Sequence, residues 1–301
     1  MNKVVVTGGA GFIGSHLVHA LVEKGFNVHI IDDLSGGKKE NIHPDATFHH
    51  LSIIDKTGVT AVISGADYVF HLAAVPSIQE SLEHPDRTHD INVTGMLNVL
   101  IASHEAKVKK VIYSGSSAAY GDQAVLPWEE SMIPQPKSPY GLHKYIGEEY
   151  CKVWSMVYQL PTVSFRYFNV YGPRQSAGGA YPSVIAHFIK LKKEGKPLTI
   201  TGSGEQTRDF THVYDVVRAN ILAMENNNIG KGEVINIGTG KNHTINMFAQ
   251  LIGGDIVYVP ARLEAQNSRA DATKAKKLLN WEPQISLEQG IAELKSIENI
   301  V

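Results

Sequence analysis

Tyr140 and Lys144 stand four positions apart directly behind Ser138-Pro139, and Ser116 lies upstream of them. Serine followed by proline is a helix start, with Ser138 as cap and Pro139 at the first helical position. Residues at i and i+4 stack on one helix face, so phenol and ammonium project together near the positive helix end. A free phenol has a pKa of about 10, and a neighbouring cation favours its ionised form. The expectation is therefore an acidified tyrosine within an oxidoreductase-like set of Ser116, Tyr140 and Lys144. Taken alone, Tyr-x-x-x-Lys is a weak signal, because helices produce it often by chance.

The N-terminal residues supply the other half of such a site. Val4-Val5-Val6 is a β-branched run that ends in Thr7-Gly8-Gly9-Ala10-Gly11-Phe12-Ile13-Gly14. An apolar helical pattern follows through Leu17, Val18, Leu21 and Val22 to Gly25, and a second strand, Val28 to Ile31, runs into Asp32-Asp33. The glycines fit two registers, Gly9-x-Gly11-x-x-Gly14 and Gly8-x-x-Gly11-x-x-Gly14. In either, one glycine makes the turn, one admits pyrophosphate to the backbone, and one lets the helix pack on the strand. The phosphates would meet the free N–H groups of a helix start. Asp32 stands where a carboxylate holds ribose hydroxyls and repels a 2′-phosphate, so NAD is expected rather than NADP. Lys38 and Lys39 are read as a solvated loop. A plain β–α turn would also use glycine; the acid and second strand in register favour the dinucleotide.

These two clusters must be carried by a chain of 301 residues with net charge −2, long enough for a full core and lacking a basic stripe for nucleic acid. No apolar run approaches the ~18 residues of a membrane span, and the chain enters a strand at once, so neither span nor signal peptide is expected and the cytoplasm follows by default. Cys151 is the only cysteine and is read as a small buried hydrophobe. The 14 histidines are scattered without metal-ligand spacing, so no metal is expected.

Strands are expected at Tyr68–Leu72, Val111–Ser114 and Val163–Phe168, with helices at about Val93–Ala106 and Tyr140–Tyr158. This rhythm implies an α/β fold with a doubly wound parallel sheet. Ligands of such sheets lie beyond the carboxyl ends of the strands. There the chain places His71-Leu72-Ala73-Ala74, Ser114-Gly115-Ser116-Ser117 and Tyr167-Phe168-Asn169-Val170-Tyr171-Gly172. Glycine, proline and serine become dense from Tyr171 to Gly204, around a helix-like stretch Ser183–Lys193. The expected division is a dinucleotide-binding domain over 1–170, completed by about 207–237, and a smaller substrate-binding cap from 171–206 and 238–301.

With these motifs in place the chain resembles the extended short-chain dehydrogenase/reductase family, and within it the UDP-glucose and UDP-N-acetylglucosamine 4-epimerases. The resemblance covers nearly the whole length. It rests on Thr7 to Ser15, Phe70-His71-Leu72-Ala73-Ala74, Ser116-Ser117-Ala118-Ala119-Tyr120-Gly121, Tyr140-x-x-x-Lys144, Arg166-Tyr167-Phe168-Asn169-Val170-Tyr171-Gly172-Pro173 and Arg208-Asp209-Phe210-Thr211-His212-Val213. It implies a Rossmann-type domain holding NAD on Gly8, Gly11, Phe12, Ile13, Gly14, Asp32, Leu72, Ala73, Ala74, Ser114, Tyr167 and the Tyr140–Lys144 pair. It further implies Tyr140 as base, Lys144 on the nicotinamide ribose and acidifying the phenol, and Ser116 on the sugar hydroxyl, with Ser117 beside it. Asn169, Arg208 and Arg262 match diphosphate-binding positions. Thr199 and Thr201 lie on the strand along which uracil runs, with Val184 nearby, and Ser268 lines the pocket for the sugar's 2-substituent.

The reaction so implied is 4-epimerisation of a UDP-hexose through a transient 4-keto sugar, with NAD tightly bound and regenerated each turnover. Alternatives from the same family are 4,6-dehydration, decarboxylation or simple reduction; another class is a non-catalytic dinucleotide-binding protein. The dehydratases place acids directly after the catalytic serine or threonine, where Ser117-Ala118-Ala119 stand here. Ser52 replaces a frequent adenine-contacting aspartate, and Pro76 a lysine found near the nicotinamide. Family members pair as homodimers through the helix carrying Tyr-x-x-x-Lys, and Val153, Trp154, Met156, Val157 and Tyr158 fit that interface or an ordinary core face. The sequence leaves open which UDP-sugar is preferred: the glucose, N-acetylglucosamine or uronic acid form.

Overall fold

A computed structural model describes residues 2–175, 183–260 and 266–300 of the chain. In order it contains β1 (Lys3–Thr7), α1 (Phe12–Glu23), β2 (Asn27–Asp32), β3 (Thr47–His50), α2 (Lys56–Ile63), β4 (Tyr68–His71), α3 (Ile78–Glu83), α4 (Pro85–His89), α5 (Gly95–Glu105), β5 (Lys110–Ser116), α6 (Pro139–Tyr158) and β6 (Thr162–Tyr167). There follow β7 (Val170–Tyr171), α7 (Val184–Lys193), β8 (Leu198–Thr201), β9 (Thr207–Arg208), β10 (Thr211–His212), α8 (Val213–Glu225), β11 (Lys231–Ile237), β12 (His243–Thr244), α9 (Ile245–Ile252), β13 (Ile256–Val259), α10 (Thr273–Leu279) and α11 (Leu287–Ile297).

Seven strands form one parallel sheet in the order β11-β6-β5-β4-β1-β2-β3. Its central strands are apolar on both faces because helices cover both. Val4 and Val6 point into one core with Leu17, Leu21 and Val216, while Val5 between them points into the other with Val59, Val99 and Cys151. The same alternation splits Phe70 from Val69 and Ile112 from Val111. Chain order reverses between β1 and β4, which opens the ligand crevice at their carboxyl ends. After Asp209 the chain returns to this sheet through α8 and β11, which lies beside β6.

A separate core of Phe188, Ile200, Phe210, Phe248, Leu287 and Ile291 underlies the cap elements α7, β8, α9 and α11. Within the stretch assigned to the cap, α10 takes the other side: Ala275, Leu279 and Trp281 join the core beneath the main sheet. Cys151 is fully buried, and burial pushes its thiol up to about 12, so it packs as a hydrophobe. Among the described residues no helix is long and apolar enough to cross a membrane, and no three His, Cys, Asp or Glu side chains could together hold a metal.

Candidate active site

At the crevice, sterics choose between the two glycine registers. Gly8 has φ +72°, and a Cβ there would stand 2.7 Å from the Ala73 nitrogen. A Cβ on Gly14 would collide with the Gly8 carbonyl, which is how α1 packs so closely on the end of β1. Gly9 is confined only by side chains, those of Ile30 and Val18, whereas Gly8 and Gly14 abut backbone, so sterics favour the Gly8-x-x-Gly11-x-x-Gly14 register. Gly11 opens α1 without a side-chain cap, so among the described residues the N–H groups over Phe12, Ile13 and Gly14 have no capping side chain and face the crevice as an anion cradle. Thr7 ties this turn to the neighbouring strand: its hydroxyl lies 2.8 Å from His71 Nδ1 and accepts the Ala73 N–H at 3.2 Å. That fixes the Leu72-Ala73-Ala74 shelf. Burial and the Lys144 charge hold His71 down to about 3, so it is neutral and shares a single proton with the Thr7 hydroxyl.

Asp32 ends β2 with one oxygen accepting from Ala10 N at 3.0 Å and the other from Leu34 N at 2.8 Å. Burial raises its carboxyl, and these two amides pull it back down. A carboxylate offers about four acceptor directions, so room remains for ribose hydroxyls. Beyond it lies a cavity of about 390 Å³ lined by Asp33, Ser35, Ser52, Ile54, Arg87 and Asp90 among others. Ser52 is therefore placed beside the far end of the crevice. Lys38 and Lys39 are exposed, as expected for a solvated loop. The glycine cradle, the uncapped helix start and the buried acid fit a dinucleotide with a free 2′-hydroxyl.

The expected set of Ser116, Tyr140 and Lys144 converges on the β5 end. Ser138 caps α6 by accepting the Gly141 N–H at 3.1 Å, with Pro139 in the first turn. Gly141 and Gly147 let the helix approach: a Cβ on the first would meet the Ala118 carbonyl at 2.6 Å, and one on the second would enter the Tyr113 ring. Tyr140 and Lys144 are both buried, and the Lys144 ammonium donates to the Ser114 carbonyl at 2.7 Å above the Tyr113 ring. Ser116 accepts the Ala118 N–H at 3.1 Å and faces the Tyr140 phenol, with Ser117 next in the turn. Burial lowers Lys144 to about 8, opposed by Glu148.

One expectation needs correction here. The chain alone does not make Tyr140 acidic: burial of the phenol dominates and raises its pKa, and the group that pulls it down is Ser116, not Lys144. The Lys144 ammonium donates to the Ser114 carbonyl, and its charge lowers the neighbouring His71. Tyr167 is also more committed than expected, because its hydroxyl meets Ser114 at 3.2 Å and Asn220 at 2.8 Å.

Across the crevice, Asn169 (φ +31°) donates to the Asp209 carbonyl at 3.0 Å and to Ser268 Oγ at 3.4 Å. Ser268 is buried beside it. Arg208 extends over β9, donating to the carbonyls of Thr207 and Gln266. Asp209 does not pair with Arg208: its buried carboxylate accepts from Thr239, Gly240 and Ala270 and so ties the loop between β11 and β12 to the segment before α10. Thr199 and Thr201 share the half-exposed face of β8, and Val184 opens α7 behind the Ser183 cap. Arg262 lies outside the described residues. Sequence reasoning assigned no role to Thr7 or Asp209; the only signal was their place within quoted motifs.

Residues 4–238 match the model of the NAD dependent epimerase/dehydratase family. The chain is 40% identical over 298 residues to a putative UDP-glucose 4-epimerase of Methanocaldococcus jannaschii, covering 96% of this chain and 95% of that one. It is 35% identical to a UDP-N-acetyl-alpha-D-glucosaminuronate decarboxylase of Bacillus cytotoxicus, covering 99% of each. Among solved structures it superimposes with TM-score 0.92 on a UDP-glucose 4-epimerase of Thermotoga maritima crystallised with UDP-glucose, 41% identical and covering 98% and 99% of the two chains.

Proposed function

The chain belongs to the NAD dependent epimerase/dehydratase family, and from that premise we propose that it is an isomerase that inverts C4 of UDP-hexoses. The observation that carries this reading is the convergence of Ser116 and Tyr140 on a turn, Ser117–Tyr120, that bears no carboxylate. Dehydration or decarboxylation needs a further acid or base at that place, and Ala118 and Ala119 supply none.

NAD, held on the glycine cradle and Asp32, supplies a reversible acceptor for the hydrogen at C4. Ser116 hydrogen-bonds the sugar's 4-oxygen, and Tyr140 takes its proton and later returns it. Lys144 binds the nicotinamide ribose and holds that end of the site against Ser114. Asn169 and Arg208, with Arg262, grip the diphosphate while Thr199, Thr201 and Val184 line the uridine path, so a 4-keto sugar stays tethered while its free face turns. Nothing then leaves but the epimer.

The 2-substituent is read at Ser268. A buried serine beside Asn169 leaves space for an acetamido group, where a buried aromatic would overlap it. UDP-N-acetylglucosamine and UDP-glucose, with their C4 epimers, are both substrates on this reading. The test is the purified protein against a panel of UDP-sugars, with products identified by NMR. Epimer without net NADH is expected. Accumulated NADH, or a pentose product, overturns the assignment. In Ser268→Tyr the acetamido sugar should lose activity at least about tenfold more than UDP-glucose; equal loss removes Ser268 from the pocket.

A homodimer belongs to the same proposal. Met156 and Val157 on α6 are 71% and 57% exposed, near Val153 and Tyr158, and a second copy of the helix would cover them. Light scattering of Val157→Glu against the parent checks this.

A further inference from the structure

The amide of Tyr140 itself is held from outside its helix. A helix start leaves its first N–H groups without intrahelical partners. In α6, Pro139 has none to satisfy, Ser138 takes that of Gly141, and the N–H of Tyr140 donates to Ser81 Oγ at 3.0 Å. Ser81 belongs to α3 and is completely buried. Its single proton is committed to the Ile78 carbonyl at 2.6 Å, so a lone pair is left aimed at Tyr140.

The other end of this segment is fixed as firmly. Asn92 sits in a π-helical turn, Asp90–Thr94, and grips the Val75 backbone twice: its oxygen accepts the Val75 N–H at 2.8 Å and its amide donates to the Val75 carbonyl at 3.1 Å. Ser77 then caps α3 by accepting the Glu80 N–H at 3.1 Å. Residues 75–81 therefore form a brace. It runs from the Leu72-Ala73-Ala74 shelf, where the proposed function places NAD, to the backbone of the proposed base.

We propose that Ser81 is a positioning residue for Tyr140, setting the phenol against Ser116 by holding the first turn of α6 to the cofactor shelf. This rests on Tyr140 being the base of the proposed reaction. Without the hydroxyl, a buried N–H loses its acceptor, and the helix start must shift to find another. The phenol then slips from Ser116, the one group that lowers its pKa. Catalytic geometry is intolerant of such slips.

The experiment uses the full chain loaded with NAD. Tyr140 is titrated by ultraviolet difference absorbance of tyrosinate, with Tyr140→Phe as the blank for the other eleven of the twelve tyrosines. In Ser81→Ala the midpoint should rise by about one pH unit, and kcat on UDP-glucose should fall about tenfold while KM stays within about twofold. Ser81→Thr, which keeps the hydroxyl, should restore both; Ser81→Cys, a weak acceptor of similar volume, replaces the alanine variant if that fails to fold. An unchanged Tyr140 midpoint in Ser81→Ala or Ser81→Cys overturns the proposal, whatever happens to the melting temperature, since a merely structural serine would move only the latter. If the parent turns over no UDP-sugar, the proposed function fails, but the titration still decides the role of Ser81.

Discussion

Burial raises the pKa of the Tyr140 phenol, and the hydrogen bond from Ser116 is what opposes that rise in the free protein. Replacing Tyr140 by phenylalanine removes only the titrating oxygen, so bound NAD and melting temperature should persist while kcat falls at least ~10²–10⁴-fold; near-parental turnover assigns the base elsewhere. Ser116→Ala tests the electrostatics. A base acts deprotonated, so a raised pKa moves the acid limb of the rate profile to higher pH. Losing the Ser116 hydrogen bond should push that limb further up, with the deficit shrinking as pH rises; a pH-independent loss would mean that Ser116 only binds sugar. Ser116, Tyr140 and Lys144 were legible because their spacing is local, one helical turn and one strand end. Ser81 and His71 were not, because what a buried serine accepts from or a histidine faces is decided by how α3 and β1 approach in three dimensions. The expected Lys144 effect was not legible for the same reason: spacing placed the ammonium on the phenol's helix face, but the fold seats it on the Ser114 carbonyl, where its charge lowers His71.

The glycine turn and α6 show how elements bring such residues close. At Gly8 both the left-handed backbone and the nearness of Ala73 exclude a side chain, whereas a Cβ on Gly11 would approach only the Gly8 carbonyl, at 3.1 Å. Gly8→Ala should therefore displace the shelf, lower the melting temperature and lose NAD together. Gly11→Ala should fold with a melting temperature near the parent and yet weaken NAD retention, because that glycine keeps space for a ligand rather than for the protein. Cofactor release on gel filtration, set beside thermal denaturation, separates the two; equal stability losses would contradict it. The strands were readable because burial on both faces writes continuous apolar runs. The short α3, α4 and the π-helical turn were not, since residues 78–94 are largely polar and their order comes from Asn92 and Ser81 contacts. Lys110 is a further case: its buried ammonium donates to the carbonyls of Ala223 and Asn226 at the end of α8, a cap set by tertiary packing alone.

At the scale of the whole molecule, two cores about one sheet are joined to a third beneath the cap, and several joints are made by neutral histidines. His16 meets the Pro173 carbonyl at 2.8 Å, where the chain leaves β7 for the cap; His71 joins Thr7 across the crevice; His212 caps α8 by accepting from the Tyr214 amide at 3.4 Å. Burial is the leading cause in each, lowering His16 and His212 to about 4 and His71 to about 3. An unfolded histidine titrates near 6.5. Between these values the unfolded chain binds more protons than the folded one, so stability is fully present above pH ~6.5 and is lost progressively as pH falls toward 4. Urea midpoints should thus decline from pH 7 to pH 5 with little change in the denaturant slope. His71→Asn, whose amide reaches the position of Nδ1 but cannot titrate, should be less stable at pH 7 and yet lose less between pH 7 and pH 5. A pH dependence as steep as the parent's would show that protons unfold this protein elsewhere than at the joint between the glycine turn and the cofactor shelf.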